Sequence, residues 1–182
     1  MRKLLVAAVL TALTLPPAAA RAGFVLDASV GQGYQTATPR DWEPLNLEIA
    51  PGYAPSLPVL SMFQLQLGIV TDFADTSGSK TNLELRPMLS IVPPFLPIYG
   101  RVIVGVSNLL GRDGKREIEY GGVVGLRVGI PGVAIIPAFG VFVEAGLIPR
   151  ERDFVVASAS GTTSESKLAW VVEGRAGAYL NF

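Results

Sequence analysis

Apolar and polar residues alternate along most of the chain with a period of two. The stretch FQLQLGI at residues 63–69, for example, sets an apolar residue at every odd position against Gln or Gly at every even position. Successive side chains of an extended strand point to opposite faces, so this alternation predicts a strand with one apolar face and one polar face.

Eight segments show the same alternation, and each predicts one strand. They cover residues 24–34, 45–50, 59–73, 80–91, 98–108, 117–130, 134–148 and 170–182. Pro87 falls inside the fourth segment, where its missing N–H group predicts a bulge or an early end of the strand. After residue 22 no segment has a helical period, so the chain predicts an all-β fold of about eight strands.

The connections between these segments are of two alternating kinds. One set is polar, charged and mostly long: QTATPRDWE at 35–43, DFADTSGSK at 72–80, LLGRDGKRE at 109–117 and RERDFVVASASGTTSES at 150–166. The other set is compact and rich in Pro and Gly: PGYAPSLP at 51–58, VPPFLP at 92–97 and PGV at 131–133. This alternation predicts an antiparallel up-and-down order of strands, with both ends of the chain on the Pro-rich side.

Residues 1–22 have the features of a cleavable secretory signal peptide. Arg2 and Lys3 precede the apolar stretch LLVAAVL, and Ala20-Arg21-Ala22 matches the small-residue cleavage motif. No uninterrupted apolar run after residue 22 approaches the roughly 20 residues of a membrane-spanning helix. We therefore expect residues 23–182 to form one β-barrel domain in an exported protein.

The composition restricts the possible chemistry. The chain contains no Cys and no His, which are common nucleophiles, general bases and metal ligands. Glu117 and Glu119 share a strand face and are candidates for acid–base work, but the favoured interpretation pairs both with Arg. We expect no catalytic residues, no metal and no cofactor, and the formal net charge of zero favours no nucleic-acid partner.

Alternation alone fits two kinds of barrel, which differ in the direction of the polar face. A lipocalin-like barrel turns this face to water, whereas a transmembrane barrel turns it inward. Water-exposed surfaces are rich in Lys, yet only Lys80, Lys115 and Lys167 follow residue 22, all in or beside the polar connections. We therefore predict that the polar face lines a lumen with a paired charge network. Its predicted members are Glu48, Glu84, Arg86, Arg101, Glu117, Glu119, Arg127, Glu144, Glu173 and Arg175.

Aromatic residues on the apolar face fall near the ends of the predicted strands. Such residues form girdles at the two membrane interfaces of transmembrane barrels. The predicted girdle contains Tyr34, Phe73, Tyr120 and Trp170 beside the polar connections, and Phe24, Phe63, Phe139 and Phe182 nearer the Pro-rich side.

Taken together, the leader, the eight alternating segments, the two kinds of connection and the last residue resemble the small outer-membrane β-barrels of Gram-negative bacteria. The transmembrane domain of outer-membrane protein A is a familiar example. The resemblance implies that Phe182, Leu180, Ala178 and Ala176 form the signal read by the barrel-assembly machinery. Leu180 stands where an aromatic residue is common, and Gly174 is a weak apolar position in that pattern.

The resemblance also implies a function and a location. We expect a monomeric, closed antiparallel transmembrane barrel in the bacterial outer membrane, in contact with its lipids and lipopolysaccharide. The expected role is non-enzymatic: structural, or interacting through extracellular loops, with a lumen filled by charged side chains. Two alternatives remain open at this point: a small channel or hydrophobic-solute transporter or binder, and a soluble periplasmic lipocalin-like barrel.

Overall fold

A computed structural model describes residues 23–36, 40–55, 60–74, 83–94, 96–107, 109, 117–130, 137–158 and 161–182. At 73–74, 117, 150–158 and 161–167 we consider the backbone alone. The predicted signal peptide, residues 1–22, lies outside the described residues, so its boundary with the barrel domain stays a prediction.

The described residues form nine strands and one short 3₁₀ helix, Leu60–Met62. The strands are β1 Gly23–Gln35, β2 Asp41–Trp42, β3 Leu45–Ala54, β4 Phe63–Ala74, β5 Leu83–Ile91, β6 Ile98–Ser107, β7 Glu117–Ile130, β8 Ala138–Ser158 and β9 Gly161–Asn181. In the part of the chain that the structure describes, no helix is long and apolar enough to span a membrane.

All strand pairs are antiparallel, and β1 pairs with both β3 and β9. The sheet therefore closes into a barrel of eight strands, with β2 as a short addition beside β1. The predicted all-β, closed, up-and-down barrel is confirmed. Closure leaves no unpaired edge along the wall, which is the condition for a sheet in contact with lipid.

The stagger of the strands sets the width of the interior. Following paired residues once around the wall leads from Phe24 to Tyr34 on the same strand, ten residues further along. That path passes through Tyr53, Leu65, Leu89, Val102, Gly122, Leu147 and Val172. For eight strands at ordinary spacing, this stagger gives a tilt of about 40° and a Cα radius of about 8 Å. Long side chains from facing walls meet across such a space.

The connection predicted at 35–43 contains a bulge and an extension of the first hairpin. Between the pairs Gly31–Asn46 and Tyr34–Trp42, three residue steps along β1 lie opposite four residue steps along the partner segment from 46 to 42. The extra residue is the signature of a β-bulge. Glu43 lies within it and donates its backbone N–H to the carbonyl of Gly33 at 2.9 Å.

The prediction of a loop at 150–166 is wrong. β8 and β9 pair without interruption from Ala138–Asn181 to Ser158–Gly161. The pairing of β8 with β7 ends at Leu147, so residues 150–158 and 161–169 form a two-stranded ribbon beyond the wall. Nine residues of strand extend about 30 Å. The prediction relied on apolar–polar alternation, which occurs where the two faces of a barrel wall have different surroundings. The ribbon lacks this alternation, but its β-branched and aromatic stretches FVV and TT favour a strand by intrinsic propensity.

The expected bulge or early strand end at Pro87 is also wrong. β5 runs through Pro87 to Ile91, and the register with β6 is the same at Leu85–Val106 and Met88–Ile103. Pro87 still pairs with Leu67 on β4, but the pairing with β6 is interrupted beside it. The missing N–H therefore faces β6, where the ladder loses a bond and keeps its register. A register shift does occur elsewhere in the wall, in the pairing of β3 with β4 between Leu45 and Asn46.

The two faces of the wall differ sharply in exposure. On β4, Leu65 is 58% exposed, whereas its neighbour Gln66 is 5% exposed. Around the barrel, large aliphatic side chains predominate outside, whereas the charged and amide side chains lie inside together with a smaller apolar set. This facing is opposite to that of a lipocalin-like barrel, and it removes that alternative.

Candidate functional site

The interior of the barrel concentrates the charged side chains of the wall. Eight residues of the predicted network are at most 6% exposed: Glu48, Glu84, Arg86, Arg101, Glu119, Glu144, Glu173 and Arg175. The Arg127 side chain is 8% exposed, and the side chain of Glu117 lies outside the described part. The interior therefore holds a packed network of charged and polar side chains beside a smaller set of buried apolar ones, among them Met88 and Ile103, and the outer surface is apolar.

Arg86, at the centre of β5, is surrounded by three carboxylates. Its Nε and Nη2 donate to Glu84 on the same strand. Nη1 and Nη2 reach Glu173 on β9 at 2.9 and 3.3 Å, across the barrel, and Nη1 lies 3.5 Å from Glu48 on β3. A planar guanidinium with five donors suits this arrangement better than an ammonium group.

Arg175 forms a second centre on β9. Its Nε donates to Glu173, and its Nη2 donates to the amide oxygen of Asn46 at 2.6 Å. Nη1 contacts the hydroxyl of Ser29 and lies 3.4 Å from Glu48. Glu173 therefore receives hydrogen bonds from both Arg86 and Arg175, which joins the two centres.

The half of the interior nearer the Pro-rich connections contains a third centre around Asp27. Arg101 Nη2 donates to Asp27 Oδ2 at 2.8 Å, and Arg127 Nη2 reaches both oxygens of Asp27 at 3.2 and 3.3 Å. Arg101 Nη1 also donates toward the carboxylate of Glu144, 3.4 Å from its Oε2. The sequence prediction omitted Asp27, although its position on the polar face of the first strand was a signal that could have found it.

Glu48 connects the two halves of the network. Its carboxylate lies 3.4 Å from Arg175, 3.5 Å from Arg86 and 3.8 Å from Arg101. The side chain is 2% exposed, so its charge is compensated by these guanidinium groups and not by bulk water. Removing one partner from such a buried set leaves the others uncompensated, which is costly.

Three aromatic rings pack among these charges near the Pro-rich end. Tyr99 donates its hydroxyl to Glu144 at 2.5 Å, and its ring meets Phe142 edge-on at 6.3 Å. The Arg127 guanidinium lies 4.1 Å from the ring centroid of Tyr179 and 5.2 Å from that of Tyr99. Cation–π contact of this kind stabilises a guanidinium away from water.

Inward-facing glycines make room for the large interior side chains. Tyr99 crosses its paired residue Gly125 to reach Glu144 on the next strand, and a Cβ at Gly125 would lie 2.5 Å from the ring. Arg175 crosses Gly31 in the same way to reach Asn46. These glycines are required by close approach of a neighbour and not by backbone conformation.

The aromatic residues outside the wall lie at two levels. Phe24, Phe63 and Phe139 mark the Pro-rich end, and Tyr34, Tyr120 and Trp170 mark the other; the side chain of Phe73 lies outside the described part. Phe182 also lies at the first level, and the structure adds Tyr53 to that level and Trp42 to the second. Phe24 and Phe182 contact each other at 5.8 Å between centroids, and Tyr34 and Trp42 at 4.9 Å. From Phe24 to Tyr34, ten residues of tilted strand span about 25 Å.

The residues of the predicted assembly signal lie together on β9 and just after it. Ala176 and Ala178 are exposed on the outer face and Leu180 is half-buried. Phe182 donates its backbone N–H to the carbonyl of Phe24 at 3.0 Å. Recognition by an assembly machinery stays a prediction.

Comparison with known proteins bears on the fold of this chain. No protein-family model matches the chain, and no curated protein matches it in sequence. The crystal structure of Neisserial surface protein A superposes with a TM-score of 0.54 and 12% sequence identity, covering 88% of this chain and 97% of that one. At this identity the likeness shows the fold. The resemblance to small outer-membrane barrels is thus confirmed at the level of the fold: an eight-stranded antiparallel barrel with an apolar exterior.

Proposed function

We propose that this protein is an integral outer-membrane barrel without enzymatic activity, closed inside and acting through the end that carries its long polar connections. The observation that carries the proposal is the exposure of large apolar side chains around the wall. Leu65, Val102, Val124 and Val141 are each 58–64% exposed. A continuous apolar surface of this size is unfavourable in water and favourable in a bilayer.

The dimensions of this surface support a membrane location. Between the two aromatic levels the outer surface is aliphatic over about 25 Å, which is the height of the apolar band in outer-membrane barrels. Trp42 and Trp170, both more than half exposed, lie at one level, where amphipathic rings fit the boundary between lipid and water. Outer-membrane lipids and lipopolysaccharide are the expected surroundings.

The packed interior supports a structural or interacting role over a conducting one. Side chains at the centre of the barrel, such as Arg86, Arg101 and Glu48, are 1–3% exposed, so water has almost no access to them. Each of these guanidinium groups forms ion pairs with interior carboxylates, so the charged side chains bind one another. We propose that this network stabilises a closed barrel and that the β8–β9 ribbon, with the polar connections, contacts partners outside the cell.

Export and assembly complete the proposal. Residues 1–22 direct secretion, and Phe182 with Leu180, Ala178 and Ala176 is read by the barrel-assembly machinery before the barrel folds as a monomer. Replacing Phe182 with Ser tests this step, since it should lower the amount of folded barrel in the membrane. The same substitution at Phe139, which lies at the same level outside the signal, serves as the control.

The location and the closed state are tested by two measurements on the full-length protein. Membrane fractionation, followed by gel migration with and without boiling, should show a membrane-bound species whose migration changes on heating. Planar bilayers containing the purified barrel should show no stable conductance. A soluble periplasmic protein with heat-independent migration refutes the membrane barrel, and a stable open channel refutes the closed interior.

A further inference from the structure

We propose that the outer face of the first hairpin binds the phosphorylated sugar headgroup of a lipid in the outer leaflet. Arg40 holds the phosphate, and the rings of Tyr34 and Trp42 pack against the sugar. This inference rests on the proposed membrane barrel, with its polar connections outside the cell. It adds a specific site on the wall for one of the expected lipids, since lipopolysaccharide carries a headgroup of this chemistry.

Two aromatic rings form an exposed pair at the level of the polar connections. Tyr34 of β1 pairs with Trp42 of β2, and their ring centroids are 4.9 Å apart with an interplanar angle of 57°. Trp42 is 63% exposed on the outer face of the wall. Amphipathic rings at this level lie at the depth of lipid headgroups, where their apolar surfaces fit the apolar face of a sugar ring.

Arg40 adds an available positive charge beside this aromatic pair. It lies two residues before Trp42, directly ahead of β2, and it is exposed. Among the residues that the structure describes, the interior arginines form ion pairs with carboxylates, whereas the Arg40 guanidinium has no such partner. The nearby carboxylate of Asp41 accepts the backbone N–H of Trp42 at 2.8 Å. A planar guanidinium donates two parallel hydrogen bonds to a phosphate, so Arg40 suits this group.

Gln32 places a polar group one step deeper on the same face of β1. Its Nε2 donates to the backbone carbonyl of Glu43, in the bulge of the first hairpin, at 3.1 Å. Within the described ranges, its Oε1 receives no hydrogen bond. A glycolipid with amide-linked acyl chains has N–H donors directly below its sugar. The Gln32 carbonyl therefore accepts a hydrogen bond at the depth where the acyl chains begin.

Below these polar groups the outer face leaves a path for an acyl chain. Gly174 pairs with Gln32, and Ala176 and Ala178 continue along the outer face of β9, beside Ala28 of β1. A Cβ at Gly174 would meet no atom within 4 Å, so the surface there is open. From Gly174 to Ala178 the strand extends about 13 Å, roughly half the height of the apolar band. This path favours a lipid over a soluble phosphorylated sugar.

Binding of defined lipids to the folded full-length barrel tests the site. The probes are bisphosphorylated lipid A and its dephosphorylated form, each titrated into phosphatidylcholine vesicles that contain the barrel. Phosphatidylglycerol serves as an anionic lipid without a sugar. Native mass spectrometry of the extracted barrel counts the lipids bound to each molecule. We expect the phosphorylated lipid A to bind at least about tenfold more tightly than the other two lipids.

Substitutions in the headgroup site should separate its two contacts. Arg40→Ala should remove the preference for phosphate, so that both forms of lipid A bind alike. Trp42→Ala should weaken the binding of both forms about threefold to tenfold. Tyr53→Ala is the matched control, because it removes a similarly exposed ring at the Pro-rich level, and it should leave binding unchanged.

Filling the acyl path tests the second half of the site. Gly174→Leu places a branched side chain on the open surface below Gln32 and should weaken the binding of both forms of lipid A. Gly122→Leu is the matched control, since a Cβ at Gly122 on β7 also meets no atom within 4 Å and that residue also faces outward. It should leave lipid A binding unchanged.

Three results would overturn the proposal: phosphatidylglycerol binding as tightly as lipid A, an Arg40→Ala variant that still prefers the phosphorylated form, or equal effects of leucine at Gly174 and Gly122. Displacement of lipid A by soluble glucosamine 1-phosphate would contradict the acyl path. Heat-dependent gel migration is scored on every sample, so loss of the membrane barrel itself is recognised separately.

Discussion

Placing an arginine on the lipid-facing wall tests the facing of the barrel directly. Leu67 lies on the outer face of β4, 43% exposed, and Val143 occupies the corresponding position on β8, 53% exposed. Along β4, Phe63 and Phe73 lie four and six residues from Leu67, close to the two aromatic levels. Leu67 is therefore near the middle of the apolar band.

The depth of Leu67 in the apolar band sets the expected loss of folding free energy on substitution by arginine. An arginine at the bilayer midplane of a barrel costs about 2–4 kcal/mol, and near the interface about 0–1 kcal/mol. Because the Leu67 side chain is half exposed outside the wall, its removal leaves no interior cavity that would add to this cost. We expect Leu67→Arg to destabilise the folded barrel by about 2–4 kcal/mol, or about 30- to 900-fold in the folding equilibrium.

Reversible denaturation in lipid vesicles measures this difference. The emission of Trp42 and Trp170, both on the outer surface, reports folding into the bilayer. Ile130→Arg is the matched control: Ile130 is also aliphatic and outward, 59% exposed, but ends β7 at the level of the bilayer surface. Equal costs at the two positions, or a neutral Leu67→Arg, would refute the assignment of the outer face to lipid.

Three further predictions concern the interior and the interface. Gly125→Val places methyl groups against the Tyr99 ring and should lower the free energy of unfolding by about 1–3 kcal/mol, measured by the same denaturation assay; an unchanged stability would show that the ring is free to move away. Glu48→Ala removes a carboxylate shared by three guanidinium groups and should lower the free energy of unfolding by about 3–5 kcal/mol in that assay. A small effect would show instead that water solvates the site. Trp42 and Trp170 should be quenched more strongly by lipids brominated near the headgroup than by lipids brominated at the chain end, and the reverse order would contradict their interfacial level.

The sequence by itself determined the wall of this barrel and its facing. A period of two assigns each residue of a strand to one of two faces, and the scarcity of Lys on the polar face indicated that this face is enclosed. The positions of Arg86, Glu84 and Glu48 inside could be predicted for this reason. The same local rule failed at the β8–β9 ribbon, where paired strands continue beyond the wall without the alternation that a wall imposes.

Only the tertiary structure decided which interior groups meet. Arg86 contacts Glu173 and Arg127 contacts Asp27, partners 87 and 100 residues apart in the chain. These pairs depend on the ten-residue stagger from Phe24 to Tyr34, which brings residues of different strands to one level. No local pattern encodes that stagger, because it is fixed by the register of every strand with its neighbours and by the closure of the whole sheet.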